Sequence, residues 1–224
     1  MTWEAANCRL AAEKLGTIWH GQVLALVSST VIVLTSIAAV VVALSGGAGA
    51  VGWTLVLALV GLVCALVGGI MCLVGLYGLG PLDGDYRTAF TCQIVNVILT
   101  FLGNLLEDGN PLSFLIDLAS SVLTLAAMWL ILQATGQLLR EAGREERNGR
   151  GMLAFWLSAA ALAATYVISW LLDPLLEPTM MAALLLLPLA VSLAGGVLYI
   201  LYLRAAARMM AEAAGEGNLF QREE

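Results

Sequence analysis

Six long runs of apolar residues dominate this chain of 224 residues. Each run is long enough to cross the hydrocarbon core of a bilayer, which is about 30 Å thick and takes about 20 helical residues. Because 61% of the residues are hydrophobic and only 12% are charged, a water-soluble domain could not bury this much apolar surface. The sequence therefore predicts an all-α polytopic membrane protein with six transmembrane helices. These six spans cover residues 23–44, 53–79, 88–106, 112–139, 152–172 and 180–203.

The basic residues predict how the chain is oriented in the membrane. The segments between the spans are short, and they contain Gly, Pro and acidic residues. With six spans, all ten Lys and Arg residues lie on the side that carries both termini. Since cytoplasmic loops carry an excess of Lys and Arg, we expect both termini to be cytoplasmic. The loop between spans 4 and 5 holds Arg140, Arg144, Arg147 and Arg150, whereas the loops on the other side hold Glu107, Asp108, Asp173 and Glu177.

The chain divides into a leader, a bundle and a tail. Residues 1–22 mix charges with apolar and aromatic residues, which predicts an amphipathic helix in the cytoplasm or at the membrane surface. Residues 23–203 form the predicted six-helix bundle, and residues 204–224 form a cytoplasmic tail. The basic residues are nearly all Arg, and Ala, Leu and Gly are abundant. This composition indicates a bacterial source, which would place the protein in the bacterial inner membrane.

Span 2 carries small residues along one side of the predicted helix. This helix-packing seam consists of Gly61, Ala65, Gly68 and Gly75, which recur at spacings of three, four and seven residues. A stripe with almost no side chains lets the backbone of a neighbouring helix approach closely. We expect the seam to pack against small residues of span 1, and a contact between protomers of a homo-oligomer is the alternative.

Polar residues form a second stripe, here called the polar seam, on spans 3 and 4. Because the loop between these spans is short, they should be antiparallel neighbours whose polar residues come together. Asp117 lies five residues after the start of span 4, and therefore about 7–8 Å into the membrane. It is either a structural or interfacial residue near a helix N-terminus or the binding group of an ion or proton site. The other members of the polar seam are Gln93, Asn96, Thr100, Asn104 and Ser121.

Motifs for enzymatic chemistry are missing from the sequence. The four cysteines form no CxxC pair, and His20 is the only histidine, so the spacing predicts neither disulfides nor a metal site. No nucleotide-binding, metalloprotease or nucleophile-elbow motif is present, which predicts no catalytic residues and no cofactor. The chain also lacks the dense basic surface that nucleic-acid binding requires.

Two functions fit this pattern, and a membrane enzyme is a third class for which the sequence offers no catalytic constellation. The first is a small channel or transporter-like protein that moves a small solute or ion along the polar seam between spans 3 and 4. The alternative is a scaffold or accessory subunit of a membrane complex, in which the polar seam and the helix-packing seam serve assembly alone. In either case the expected partners are membrane lipids and a second copy of the chain or another membrane protein.

Overall fold

The computed structural model describes residues 5–45, 51–106, 111–143, 148–169 and 178–215, and within them it contains six α-helices. Five of these helices are long and apolar enough to cross a membrane. The described part of the chain is therefore all-α, and its apolar helices are those of a multi-pass membrane protein. The third helix is not one of these five. It is less apolar, since its 20 residues include Asp85, Arg87, Gln93 and Asn96. The helices are α1 Ala5–Ser45, α2 Val51–Leu79, α3 Gly84–Gly103, α4 Pro111–Glu141, α5 Asn148–Val167 and α6 Pro178–Ala213.

Local sequence signals account for the helix ends. Both α4 and α6 begin at a proline, whose fixed φ suits the first helical turn and whose missing N–H has no partner there anyway. The carboxylate of Asp83 caps α3 by accepting a hydrogen bond from the Asp85 N–H at 2.8 Å. Gly143 follows α4 with a φ of 71°, a left-handed conformation that ends a helix and that glycine adopts without strain.

The helices are arranged in a ring. Each helix packs against the next one in the chain, and α6 returns to pack against α1. Neighbours are antiparallel: Gly75 of α2 contacts Ile18 of α1, for example, and Gly61 contacts Ile32. The start of α1 and the end of α6 therefore lie at one end of the bundle, called here the termini end. There the Arg204 guanidinium lies 5.3 Å from the centre of the Trp19 ring.

The buried core lies at the termini end. It combines residues from the first part of α1, the end of α2, the start of α3 and the ends of α4 and α6. Its largest fully buried side chains include Leu15, Leu76, Tyr86, Leu138 and Met210. By contrast, most of α2 exposes large apolar side chains on its outer side, which is the surface that a lipid-facing helix presents.

The predicted leader does not form a separate helix. The helix α1 runs without interruption from Ala5 to Ser45, and Ala11, Leu15 and Ile18 are buried in the core. These three side chains therefore pack against the rest of the core. Several predicted features lie outside the described residues: residues 1–4, the tail from 216 onward, the end of span 5, and Glu107, Asp108, Arg144, Arg147, Asp173 and Glu177.

The helix-packing seam of α2 faces α1. A Cβ atom added at Gly68 would lie 2.7 Å from the Gly21 carbonyl oxygen, and one at Gly75 would clash with the Ile18 side chain. The buried Ser28 hydroxyl of α1 donates a hydrogen bond of 2.5 Å to the Gly61 carbonyl oxygen. Ala65 is half-buried on the same helix. This interface brings two backbones together, so dispersion contacts and an interhelical hydrogen bond hold α1 against α2.

Candidate functional site

Part of the polar seam forms a hydrogen-bonded cluster between α3 and α4. The Asn96 side-chain amide donates to the Thr124 hydroxyl at 3.1 Å, and the Ser120 hydroxyl donates to the Asn96 side-chain carbonyl. The Thr100 and Ser120 hydroxyls lie 3.3 Å apart. Because these groups satisfy one another, the cluster works as a polar clamp between two neighbouring helices.

Two predicted members of the polar seam lie apart from this clamp. Asp117 is exposed, and its carboxylate lies 3.7 Å from the position that a Cβ atom on Gly103 would occupy. Asn104 is also exposed and caps α3, with its backbone N–H donating to the Thr100 carbonyl at 3.1 Å. The structure therefore brings Asp117 beside the end of α3, near the helix ends rather than among the hydrogen-bonded side chains.

The remaining two members of the polar seam face the inside of the ring. Gln93 and Ser121 both line a cavity of about 460 Å³ that lies between α1, α3, α4, α5 and α6. Small-molecule sites in proteins commonly have volumes of about 300–1,000 Å³, so a cavity of this size suits a small ligand. Its lining includes eight polar side chains from five helices: Gln22, Ser29, Gln93, Ser121, Thr124, Ser158, Ser192 and Tyr199.

One of these side chains is buried without a hydrogen-bond partner. Tyr199 is only 5% exposed, and its hydroxyl has no partner among the described residues. A buried hydroxyl without a partner costs about 1–3 kcal/mol relative to a satisfied one. Such groups are rare in folded proteins. The hydroxyl itself is buried near Cys72, Tyr86 and Tyr202 in the core, so other atoms of Tyr199 line the cavity.

Two adjacent glycines position α6 around the cavity. A Cβ atom on Gly195 would lie 2.8 Å from the Ser158 hydroxyl of α5, and one on Gly196 would lie 2.9 Å from the Leu26 side chain of α1. The absence of side chains at both positions lets α6 lie close to α5 and α1 together. Ser192 and Tyr199, one turn before and one turn after these glycines, then reach the cavity.

Polar contacts also join α4 to its neighbours around the cavity. The Ser121 hydroxyl lies 3.0 Å from the Tyr166 hydroxyl of α5, and the Tyr166 ring packs edge-to-face against Phe114 at 5.8 Å. Thr124 belongs to both features, since it accepts the hydrogen bond from Asn96 and lines the cavity. Through Thr124, the clamp between α3 and α4 therefore reaches the lining of the cavity.

A second cavity adjoins the first one between α5 and α6. It has a volume of about 350 Å³ and shares Ser158, Leu162, Leu189 and Ser192 with the central cavity. Its further lining includes Thr165, which lies nearer the end of the bundle away from the termini. Ser192 lines both cavities and is exposed, so the two cavities are open to the surroundings of the bundle.

The sequence alone did not identify five of the polar residues that line the central cavity, namely Gln22, Ser29, Ser158, Ser192 and Tyr199. Four of them are single polar residues in largely apolar stretches, and Ser29 stands between Ser28 and Thr30, so no spacing marks any of them as part of a site. Thr124 is likewise not among the predicted members of the polar seam. The five residues come from three helices, and only the packing of the ring brings them together.

The features of a metal centre are absent from the part of the chain that the structure describes: it contains no group of three or more His, Cys, Asp or Glu side chains that could hold a metal ion. Comparison of the chain with protein-family models, with curated proteins and with solved structures gives no match.

Proposed function

We propose that the protein is a transporter-like membrane protein that moves a small uncharged solute through the central cavity, with both termini cytoplasmic in a bacterial inner membrane. The observation that carries the proposal is the cavity of about 460 Å³ itself, which is lined by polar side chains from five helices. The amides of Gln22 and Gln93 on the facing helices would supply both donors and acceptors to the same solute.

The chemistry of the lining supports an uncharged solute. The lining residues that the structure gives include no Asp, Glu, Lys, Arg or His. Bringing an ion into a membrane protein without an opposite charge or a dense set of ligands carries a large desolvation penalty. The proposal therefore moves the transport path from the surface between α3 and α4, where Asp117 is exposed, to the interior of the ring.

The positions of the cavities and of the core support alternating access rather than an open pore. The second cavity extends from the central one toward Thr165 and Pro188, while buried side chains such as Tyr86 and Leu203 fill the termini end. A solute could thus enter from the end away from the termini and would need a rearrangement of the core to leave at the other end. Pro188 in α6 gives that helix a place to bend, because it cannot donate the backbone hydrogen bond of an unbroken helix.

Flux measurements in proteoliposomes test this proposal. Stopped-flow light scattering would follow vesicle volume after exposure to gradients of glycerol, urea or potassium chloride. We expect glycerol or urea to enter vesicles that hold the protein faster than empty vesicles, and potassium chloride to enter both at the same rate. Flux of potassium chloride, or no protein-dependent flux of either uncharged solute, would contradict the proposal as stated.

A matched pair of variants locates the path. Ser192→Leu places a larger side chain where both cavities meet, whereas Ala194→Leu places it at an exposed position about 200° further around the same helix. We expect Ser192→Leu to abolish the protein-dependent flux and Ala194→Leu to preserve it. Equal flux through both variants would mean that solute does not pass Ser192.

A role as a scaffold or accessory subunit is the second candidate, and a different observation favours it. Thr100, Asn104 and Asp117 present exposed polar groups along the hairpin of α3 and α4. Polar groups at a lipid-facing position are costly, and a second helix that covers them removes this cost. Native mass spectrometry in nanodiscs tests this role: a dimer that Asp117→Leu dissociates would support it, and a monomer with solute flux would contradict it.

A further inference from the structure

A groove between α4 and α5 at the termini end carries chemistry that the proposed transport path does not use. The groove has a volume of about 200 Å³ and is lined by α4 residues from Trp129 to Arg140 and by Met152 of α5. Trp129 and Arg140 are eleven residues apart, so the groove extends about 16 Å along the helix. It is separate from the central cavity, with which it shares none of its described lining residues.

The groove is polar at one end and apolar at the other. Arg140 lies in the last turn of α4, and Gln133 and Gln137 lie about two turns and one turn before it on the same helical face. All three side chains are exposed. Trp129, Leu132 and Met152 form the other end of the groove, where the Trp129 ring packs against Phe155 at 5.0 Å.

The change from polar to apolar along the groove matches the order of phosphate, ester region and acyl chain in a phospholipid of a bilayer. A guanidinium group binds phosphate oxygens through charge-assisted and often bidentate hydrogen bonds. Gln137 lies about one turn deeper and Gln133 about two turns deeper, and their amides can bind the ester oxygens of the glycerol backbone. Trp129, about 16 Å from Arg140 along the helix, lies at the depth of the acyl chains. The apolar end would then receive the first part of an acyl chain.

We propose that this groove binds one phospholipid with a net negative charge, with Arg140 on the phosphate, Gln133 and Gln137 on the ester region and Trp129 beside the acyl chain. A free phosphate ion would use only the Arg140 end and would leave the apolar end of the groove empty. A phospholipid of zero net charge has a cationic group in its headgroup, and this group would lie close to the positively charged Arg140. The distribution of charge and apolar surface therefore favours an acidic phospholipid over both alternatives.

Lipid titration followed by native mass spectrometry tests the inference. The full-length protein in detergent would be titrated with phosphatidylglycerol or with phosphatidylcholine of the same acyl chains, and the affinity for the first bound lipid would be measured. We expect tighter binding of phosphatidylglycerol. Arg140→Gln should weaken that binding about fivefold, which corresponds to roughly 1 kcal/mol for one basic residue.

Arg150→Gln is the matched control. It removes the same charge from an exposed position at the start of α5, and Arg150 is not among the lining residues of the groove. The affinity for phosphatidylglycerol should stay within a factor of two in this variant. An equal loss in the two variants would show that net charge alone governs binding, and equal affinity of the wild type for both lipids would also overturn the inference.

Two further measurements separate the lipid from a free anion. Inorganic phosphate at millimolar concentration should not displace phosphatidylglycerol, since it lacks the acyl chain, and displacement would mean that the groove is an anion site. Gln133→Leu should weaken phosphatidylglycerol binding while it leaves the overall charge unchanged. Unchanged binding in this variant would contradict the position assigned to the ester region.

Discussion

Replacing Gly68 by alanine should destabilise the protein, because this residue lies at a close approach of α1 and α2. The added Cβ atom would lie 2.7 Å from the Gly21 carbonyl oxygen, 3.1 Å from the Ala25 backbone nitrogen and 3.2 Å from the Leu24 Cβ atom. Ordinary contacts of such an atom begin at 3.4 Å, so the two helices must separate by about 0.7 Å. Two of the three obstructing atoms belong to the backbone of α1, and no rotation of a flexible side chain can remove the clash.

The size of the effect follows from this separation. Opening a packed interface by about 0.5–1 Å forfeits a quarter to a half of the dispersion energy of the contacts involved. Overpacking by one methyl group in a rigid interface typically costs about 1–3 kcal/mol. The alanine also stabilises the helix by up to about 1 kcal/mol relative to glycine, which partly offsets the clash.

Gly69→Ala is the control that isolates the clash. Gly69 is the next residue of the same helix, it is exposed, and a Cβ atom there meets nothing within 4 Å. The gain in helix propensity is therefore common to both variants. Unfolding by sodium dodecyl sulfate in mixed micelles, followed by circular dichroism, would measure the difference, and we expect Gly68→Ala to be less stable than Gly69→Ala by about 1–3 kcal/mol. Equal stability within about 0.5 kcal/mol would refute the close approach of α1 and α2.

Three further variants test the hydrogen bonds and the exposed acid. Tyr86→Phe should lower the free energy of unfolding by about 1 kcal/mol in the same assay, because it removes the buried hydrogen bond of 2.8 Å to Thr135; no change would contradict that bond. Asn96→Leu breaks the clamp between α3 and α4 and should cost about 1 kcal/mol, since interhelical hydrogen bonds in membranes contribute about 0.6 kcal/mol each on average; a stabilised variant would argue against the clamp. Asp117→Asn should leave the flux of uncharged solutes in proteoliposomes unchanged, and a lost flux would return the transport path to the polar seam.

The sequence predicts the membrane class because the length and apolar character of a helix are local properties. The five long apolar helices need only about 20 residues of sequence each to be recognised. The contribution of α2 to the close packing at Gly68 is also a local property, since the spacing of its small residues predicts a stripe with almost no side chains. That this stripe faces Gly21 inside the same chain, rather than a second protomer, depends on tertiary packing.

The candidate site is harder to predict for the same physical reason. Gln22, Ser192 and Tyr199 come from two helices that are far apart in sequence, and each is a single polar residue among apolar ones. A periodic pattern reveals which residues share a face of one helix, but it does not reveal which faces meet in a ring. The polar stripe of α3 therefore predicts a site on a surface whose residues largely bind one another. The cavity lies instead on the side of α3 and α4 that faces the inside of the ring.

Water accessibility of the cavity tests the central claim most directly. In a variant whose native cysteines at positions 8, 64, 72 and 92 have been replaced, a single cysteine would be introduced by Ser192→Cys or by Ala194→Cys. We expect a charged, membrane-impermeant thiol reagent added on the side away from the termini to label Ser192→Cys in proteoliposomes, because this position lines both cavities, and not Ala194→Cys, which faces outward. Labelling of neither variant, or of both at the same rate, would contradict a solute path through the ring of helices.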